Sequence, residues 1–354
     1  MRNLEKIKAL CGQQADGLLL TSEVSRHYAA QSGIAEGVAV VSKNGCRYFT
    51  DSRYIEAAEK QLPDFEVLLI DREHSYVERI NNAISDFGIH TLGCEERYLT
   101  VEEFTGYKNQ LHADLVGVQN ALSQLRWSKE KWEQEKMLAA QEITDKTFSE
   151  LLNVIHVGMT EKELCAELIY RLYRFGADGL SFQPIVVSGE KTSMPHGVPG
   201  DRVLCNGDFI TMDFGCTVDG YCSDMTRTVA LGHVSDQMRE VYGVVLAAQK
   251  AGIAASHAGM TGSEIDGVAR KVIADAGYGA AFGHGYGHSL GLEIHEAPNC
   301  NPSGSIPMPV GAVSSAEPGI YLAGKFGVRI EDVVFFREND VVDITKSPKD
   351  LIIL

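Results

Sequence analysis

The segment 209–228 limits the possible folds of this chain more than any other stretch. Two runs of strand-like composition, FITMDF and YCSDMTRT, lie on either side of an Asp219-Gly220 pair. Asp-Gly is a strong signal for a two-residue turn between antiparallel strands. That register places Asp213 and Asp224 on one face of the sheet as diagonal neighbours, with their Cβ atoms within about 8 Å. Two carboxylates so close repel each other unless a cation lies between them, so the segment predicts an acidic hairpin that binds a cation.

A second acidic pair and a histidine follow further along the chain. Glu317 and Glu331 lie symmetrically about Gly324, and a short loop there would place them opposite each other on adjacent strands. The stretch GHGYGH, which ends at His288, has too many glycines for a helix and favours a loop or an irregular strand. Any one of these acidic residues could be a solvated or ion-paired carboxylate. Their joint arrangement predicts a shared site instead.

The chemistry of this set indicates a reaction class. Four carboxylates and one imidazole are hard ligands, which favour Mn²⁺, Co²⁺, Fe²⁺ or Zn²⁺ over a thiolate site. A pair of such ions about 3.5–4 Å apart can hold one water molecule and make it a nucleophile. The sequence contains no HExxH motif, and its glycines do not fit GxGxxG. The pattern therefore predicts metal-assisted hydrolysis.

Composition excludes several other classes of protein. The net charge of −16 over 354 residues argues against a nucleic-acid partner, which needs clustered Lys and Arg. No apolar run is long enough for a membrane span or for a secretory signal. The eight cysteines form no CxxC pair, so reduced thiols in a cytoplasm are expected.

The chain is expected to contain two domains, 1–122 and 123–354. The first alternates short apolar runs with helical stretches, which predicts a small α/β domain. Its strand candidates are 17–20, 37–41, 47–50, 66–70 and 91–94. In the second, apolar residues recur at helical spacing over 137–155, and capping boxes at Thr160 and Thr261 begin two further helices. A fourth helix is expected over 235–256, and alternation over 290–295 predicts a strand.

These motifs resemble those of a known family, the pita-bread-fold metallopeptidases. That family includes aminopeptidase P, prolidase, methionine aminopeptidase and the metal-free creatinase. The resemblance runs from about Leu125 to the C-terminus and rests on PHG, TMDFG, GYCSDMTRT, GHGYGH, EPGIY and GVRIED. The segment TDSRY at 50–54 resembles the N-terminal domain of the aminopeptidase P and prolidase branch. The resemblance implies an α+β fold, in which a smaller creatinase-N-like α/β domain precedes a pita-bread catalytic domain.

The resemblance also implies roles for individual residues. Two divalent metal ions, with Mn²⁺ the first choice, would be bound by Asp213, Asp224, His288, Glu317 and Glu331. Asp224 and Glu331 would bridge the ions, and Glu317 would also be the general base.

The remaining roles belong to three histidines and one arginine. His196 and His295 would lie over the substrate and hold the peptide carbonyl and the leaving nitrogen. His284 would be an outer substrate contact, and Arg329 would orient the last ligand.

Within the family, intact ligands argue against a creatinase-like or non-catalytic binding protein. The ending Ile330-Glu331-Asp332 and the extra N-terminal domain argue against methionine aminopeptidase. The chain is short and has no insertion that would cap the site, which favours an Xaa-Pro aminopeptidase acting on short peptides through a metal-bridging water. The alternative is a prolidase that splits Xaa-Pro dipeptides. The family's habit suggests a homodimer.

Overall fold

The protein, seen in a computed structural model that describes residues 2–33 and 36–354, forms two compact units. They are Met1–Arg126 and Trp127–Leu354. Among the described residues, no helix has both the length and the apolar character that crossing a bilayer requires.

The first unit alternates helices and strands. Its helices are α1 (Asn3–Leu10), α2 (Glu23–Ala30), α3 (Ile55–Gln61), α4 (Tyr76–Phe87), α5 (Val101–Gln110) and α6 (Gln119–Gln124). Its strands are β1 (Gly17–Leu20), β2 (Val38–Ser42), β3 (Cys46–Asp51), β4 (Glu66–Ile70), β5 (Thr91–Cys94) and β6 (Asp114–Gly117). They form one mixed sheet in the order β4-β3-β2-β1-β5-β6. The predicted strands are confirmed. Short apolar runs form the central strands because both faces of these strands are buried.

The second unit contains longer helices and several small antiparallel sheets. Its helices are α7 (Lys131–Leu151), α8 (Glu161–Arg174), α9 (Asp236–Ala255) and α10 (Gly262–Asp275). Its strands up to the middle of the unit are β7 (Gly179–Leu180), β8 (Ile185–Ser188), β9 (Phe209–Phe214), β10 (Cys216–Val218), β11 (Tyr221–Cys222) and β12 (Met225–Ala230). The remaining strands are β13 (Gly287–Ser289), β14 (Glu296–Cys300), β15 (Val313–Ala316), β16 (Gly319–Leu322), β17 (Phe326–Arg329), β18 (Asp332–Phe336) and β19 (Val341–Asp343).

The helices of this unit cover its strands in two pairs. Leu164 and Leu168 of α8 pack with Phe148 of α7 against the apolar residues of β9. Val241 of α9 and Ile265 of α10 belong to a second core with residues of β15 to β18. The strands are therefore held between two buried apolar layers. This packing fixes the side chains that lie at the ends of the strands. The helices begin within one residue of the predicted capping boxes, which are both formed.

The predicted acidic hairpin is present with the predicted register. Val218 pairs with Tyr221 beside the turn, and Asp213 pairs with Thr226 on the adjoining strands β9 and β12. Asp219 and Gly220 have φ angles of 47° and 78°, as a type I′ turn requires.

The second hairpin also follows the prediction. β16 pairs with β17 around a three-residue loop, and Gly324 in that loop has a φ of 72°. Extending this register by two residues from the Gly319–Arg329 pair brings Glu317 opposite Glu331.

The strand predicted over 290–295 is not formed, and this prediction was wrong. The segment is a series of bends, and β14 begins only at Glu296. The register shifts after His288, the Gly291 carbonyl accepts from the Cys222 N–H, and the Gly291 N–H donates to the Glu293 carbonyl. These contacts with a distant hairpin replace the ladder that the local alternation favoured.

Candidate active site

One cavity of about 860 Å³ opens in the second unit. The nine residues that the sequence predicted for the site all contribute to its lining. They are His196, Asp213, Asp224, His284, His288, His295, Glu317, Arg329 and Glu331.

Ends of strands bring the acidic residues together. Asp213 lies near the end of β9, and Asp224 comes directly before β12. Glu317 lies between β15 and β16, and Glu331 lies between β17 and β18. Ligand atoms of Asp224, His288 and Glu331 all lie within 4.8 Å of one another, which is close enough for them to share a metal ion.

The carboxylates of this cluster lack sufficient partners within the protein. Oδ1 of Asp213 and Oδ1 of Asp224 are buried and accept no hydrogen bond from the described part of the chain. Burial raises the pKa of Asp224 well above its ordinary value, and the charges of Asp213 and Glu317 raise it further. Burial likewise raises the pKa of Glu331, with Asp224 and Glu317 as the next causes. Such a cluster resists ionisation unless a cation compensates it, so the residues fit divalent metal ions.

The orientation of His288 leads to the same conclusion. Its Nδ1 lies 3.2 Å from the Ser289 carbonyl, which fixes the proton on Nδ1. Nε2 then presents a lone pair to Oδ2 of Asp224 at 3.6 Å and to Oε1 of Glu317 at 3.3 Å. A lone pair that faces two carboxylate oxygens is repelled by them, and a cation between the three groups would remove that repulsion. Donation of the other ring N–H to a carbonyl is typical of metal-binding histidines.

Arg329 is the buried cation that partly balances the cluster. Its guanidinium donates to Oδ2 of Asp213, to the Thr226 hydroxyl at 3.0 Å and to the Tyr321 hydroxyl at 2.9 Å. Thr226 in turn donates to Oε2 of Glu331 at 2.7 Å. Arg329 thus orients Asp213 directly and Glu331 through one hydroxyl.

The three other histidines occupy different settings. Nδ1 of His284 donates to the Gly285 carbonyl at 2.8 Å, so Nε2 accepts from the Tyr321 hydroxyl at 2.9 Å. The ring of His295 packs edge-on against His288 at 4.4 Å between centroids. Burial, and after it the neighbouring His288, lowers the pKa of His295. His196 is exposed on the segment that follows β8.

Sequence reasoning missed several contributors to this site. Tyr321 and Thr226 connect the site residues through hydrogen bonds, although both lie within the motifs EPGIY and CSDMTRT. An apolar wall of Phe182, Pro184 and Ile185 was also missed. No motif or turn signal in the sequence pointed to this wall, because the direction of its side chains is set by the fold.

Comparison with known proteins assigns both units. Residues 4–127 match the model of the creatinase/prolidase N-terminal domain. Residues 135–338, more than half of the chain, match the model of metallopeptidase family M24. The chain belongs to metallopeptidase family M24. The resemblance drawn from the motifs is thereby confirmed, as is the fold of a creatinase-type N-terminal domain followed by a pita-bread domain.

Several similar proteins align with nearly the whole length of this M24 peptidase. The uncharacterised peptidase YqhT of Bacillus subtilis is 40% identical over 353 residues, 99% of each chain. The structure of an Xaa-Pro dipeptidase from Bacillus anthracis is 38% identical, has a TM-score of 0.96 and covers 99% of each chain. The structure of an X-Pro aminopeptidase from Thermotoga maritima is 35% identical, has a TM-score of 0.91 and covers 96% of this chain and 98% of that one. The protein is thus a metal-dependent peptidase whose family uses divalent ions.

Proposed function

We propose that this M24 peptidase hydrolyses Xaa-Pro dipeptides with two divalent metal ions bound in its cavity. The observation that carries the proposal is that Asp213 and Asp224 each have a buried oxygen without a hydrogen-bond donor in the described structure, beside Nε2 of His288 and at a peptide-sized cavity. Glu317 and Glu331 complete the proposed ligand set. Mn²⁺ is the proposed ion, because hard oxygen ligands dominate the set.

The chain's own residues have distinct tasks in this proposal. The chemistry that the ions supply when bound is polarisation of the scissile carbonyl and acidification of a water molecule. Glu317 would take the proton of that water, because its carboxylate lines the cavity and its Oε1 lies 3.3 Å from Nε2 of His288, another proposed ligand. His196 and His295 hold the carbonyl oxygen and the leaving nitrogen. Tyr321 fixes the ring of His284 through the hydrogen bond described above.

The preference for proline follows from the chemistry of the bond. An Xaa-Pro bond has no N–H, and its ring fixes φ, so a site that grips substrates as an extended strand cannot hold it. The apolar wall of Phe182, Pro184 and Ile185 offers a surface for the ring. The dipeptide is favoured over longer peptides because of the similarity to the Bacillus anthracis Xaa-Pro dipeptidase. The sequence argument from chain length had favoured the aminopeptidase.

One observation keeps the aminopeptidase as a second candidate. Arg329 is the only arginine, and no lysine occurs, among the described residues that line the cavity. Its guanidinium is already bonded to Asp213, Thr226 and Tyr321. A dipeptide's carboxylate therefore meets only histidines as potential cations, whereas a longer peptide carries that charge away from the site. The similarity to the Thermotoga maritima X-Pro aminopeptidase agrees with this candidate.

We also propose that the protein is a cytoplasmic homodimer. Support for the compartment comes from the eight cysteines, which are all free thiols. Support for the dimer comes only from the resemblance to the family, and sedimentation of the purified protein tests it.

Cleavage of Ala-Pro and Ala-Pro-Ala, followed by mass spectrometry, tests the function. We expect alanine release from Ala-Pro after Mn²⁺ is added, no release with a chelator, and much slower release from Ala-Pro-Ala. Faster cleavage of the tripeptide would establish the second candidate instead.

Two controls make this assay decisive. Ala-Ala should remain intact, since its amide lacks the proline ring. The Glu317→Gln variant should lose turnover by about 100- to 10,000-fold, the usual range for loss of a general base. Turnover of Glu317→Gln at the wild-type rate would disprove the role of Glu317 as base.

A further inference from the structure

The segment 189–200, between β8 and the Arg202 region, carries much of one cavity wall. Pro195, His196, Gly197, Val198 and Pro199 all line the cavity. His196 is exposed, and within residues 2–33 and 36–354 no hydrogen bond to its ring is present. The position of this imidazole therefore depends on how the backbone of the segment is held.

A buried carboxylate outside the cavity holds that backbone. Glu161, the first residue of α8, has no exposed surface. Its Oε1 accepts from the Ser188 N–H at 2.8 Å and from the Ser188 hydroxyl at 2.9 Å. Its Oε2 accepts from Nζ of Lys191 at 2.5 Å and from the Gly200 N–H at 2.9 Å. The Glu161 carboxylate thus binds Ser188 just before the segment, Lys191 near its start and Gly200 at its end.

Lys191 adds a second link across the segment. Its Nζ also donates to the Val198 carbonyl at 2.7 Å, two residues beyond His196. At Gly200 the approach is close, because a Cβ there would lie 3.0 Å from Nζ of Lys191. The segment is therefore closed into a loop by side-chain bonds that converge on Glu161.

These bonds are not needed to begin the helix. The first turn of α8 already has a complete capping box, in which Thr160 and Glu163 satisfy each other's backbone N–H groups. A fully buried carboxylate with four donors is a costly feature unless its geometry is required. Here the geometry serves the segment that carries His196.

We propose that Glu161 is a positioning residue that places His196 over the metal-binding carboxylates by fixing both ends of the segment 189–200. Its effect on turnover passes through His196, so it touches neither substrate nor ligand atoms. The kinetic part of this inference rests on the proposed function, whereas the structural part does not.

Glu161→Gln tests the proposal, because an amide nitrogen replaces one acceptor oxygen and cannot accept from Lys191 or from the backbone N–H groups. We expect amide hydrogen exchange to accelerate within 189–200 and the content of bound Mn²⁺ to stay unchanged. We expect kcat on the cleaved Xaa-Pro peptide to fall by about 10–100-fold, the effect of misplacing a group by about 1 Å. KM should change by less than kcat.

Glu163→Gln is the matched control. It removes a carboxylate from the same helical turn, where Glu163 accepts only from Thr160. We expect it to lower stability without accelerating exchange in 189–200 and without changing kcat. An equal loss of kcat in both variants would show that Glu161 only stabilises α8, and it would overturn the proposal.

A double-mutant cycle separates positioning from general stabilisation. In a His196→Ala background, Glu161→Gln should cause no further loss of kcat, because the group it positions is already absent. Full additivity of the two effects would overturn the proposal. If Glu161→Gln does not fold, Lys191→Met removes the partly buried ion-pair partner of Glu161 instead. Its effect on kcat is then measured alone and in the His196→Ala background.

Exchange is measured without any substrate, so failure of the proposed function remains distinguishable. Unchanged exchange in 189–200 would refute the positioning role whatever the enzyme cleaves. Accelerated exchange without cleavage of any Xaa-Pro peptide would support the positioning role and refute the proposed substrate.

Discussion

At the scale of single residues, the candidate site contains buried carboxylates that repel one another. Asp213 and Asp224 each have a buried oxygen without a hydrogen-bond donor in the described structure, and Glu331 lies against the same cluster. A buried acceptor without a partner costs about 1–3 kcal/mol, more when charged. The metal-free protein carries this cost, and a metal ion bound at the proposed site would remove it.

Asp224→Asn should therefore stabilise the metal-free protein and abolish its response to metal. The amide removes one repelling charge, so we expect the free energy of unfolding without metal to rise by about 1–3 kcal/mol. Thermal unfolding with a chelator and with Mn²⁺ measures both effects. Asp201→Asn, at an exposed carboxylate paired with Lys162, should change neither. A destabilised metal-free Asp224→Asn protein would contradict the repulsion argument.

Some residues of the candidate site could be predicted from the sequence, and others could not. Asp213, Asp224 and His288 could be found because each lies in a motif or beside a turn signal. Tyr321 could not, because its role depends on hydrogen bonds to His284 and Arg329, on two other elements. Such contacts are set by the fold and leave no local pattern.

At the scale of elements, local signals succeeded where the turn decides the register. Asp219 and Gly220 adopt the left-handed conformations that a type I′ turn needs, and the pairing of β9 with β12 follows from them. The strand prediction for 290–295 failed because the Gly291 carbonyl pairs with the Cys222 N–H, which belongs to a distant hairpin. Alternating polarity alone cannot reveal that competition.

Gly220→Ala should lower the stability of the second unit. Gly220 has a φ of 78°, and an L-residue in the left-handed region costs about 1–2 kcal/mol. Urea unfolding measures the loss. Gly243→Ala is the contrasting control, since a Cβ at this site within α9 meets nothing within 4 Å. It should gain about 1 kcal/mol from helix propensity. An equal effect of the two variants would contradict the role of the turn.

At the scale of the whole molecule, the candidate site joins stretches that are far apart in sequence. Thr226 and Glu331, which share a hydrogen bond, are 105 positions apart. No spacing rule connects such stretches, so the prediction that they meet rested on the ligand chemistry that they share and on the resemblance to a family. The order of strands in the small sheets and the apolar wall of the cavity were likewise beyond the sequence.

The stability of the metal-free protein should fall as pH rises. The pKa values of Asp224 and Glu331 are raised in the folded state by burial and by mutual repulsion. A carboxyl with a raised folded pKa contributes stability that is complete below its unfolded pKa and is lost as pH rises through the folded value. Metal-bound protein keeps these groups ionised and should not show this loss.

Unfolding from about pH 4 to pH 8, with a chelator and with Mn²⁺, measures this difference. Carboxyls with lowered pKa values, such as those of Glu163 and Glu264, are present in both forms and cancel in the comparison. A gap between the two forms that does not widen with pH would count against the prediction.

For the proposed ligand set, the separation of the ligands along the chain would also determine the order of folding and metal binding. An unfolded chain offers at most a nearby pair of aspartates, so it competes poorly for scarce ions, and metal uptake follows folding rather than directing it. The apolar cores under the two helical layers contain none of the proposed ligands, so we expect the strands to be held without an ion. A cell short of metal would then accumulate folded, metal-free protein. Its peptidase activity would rise with the supply of ions, without new protein synthesis.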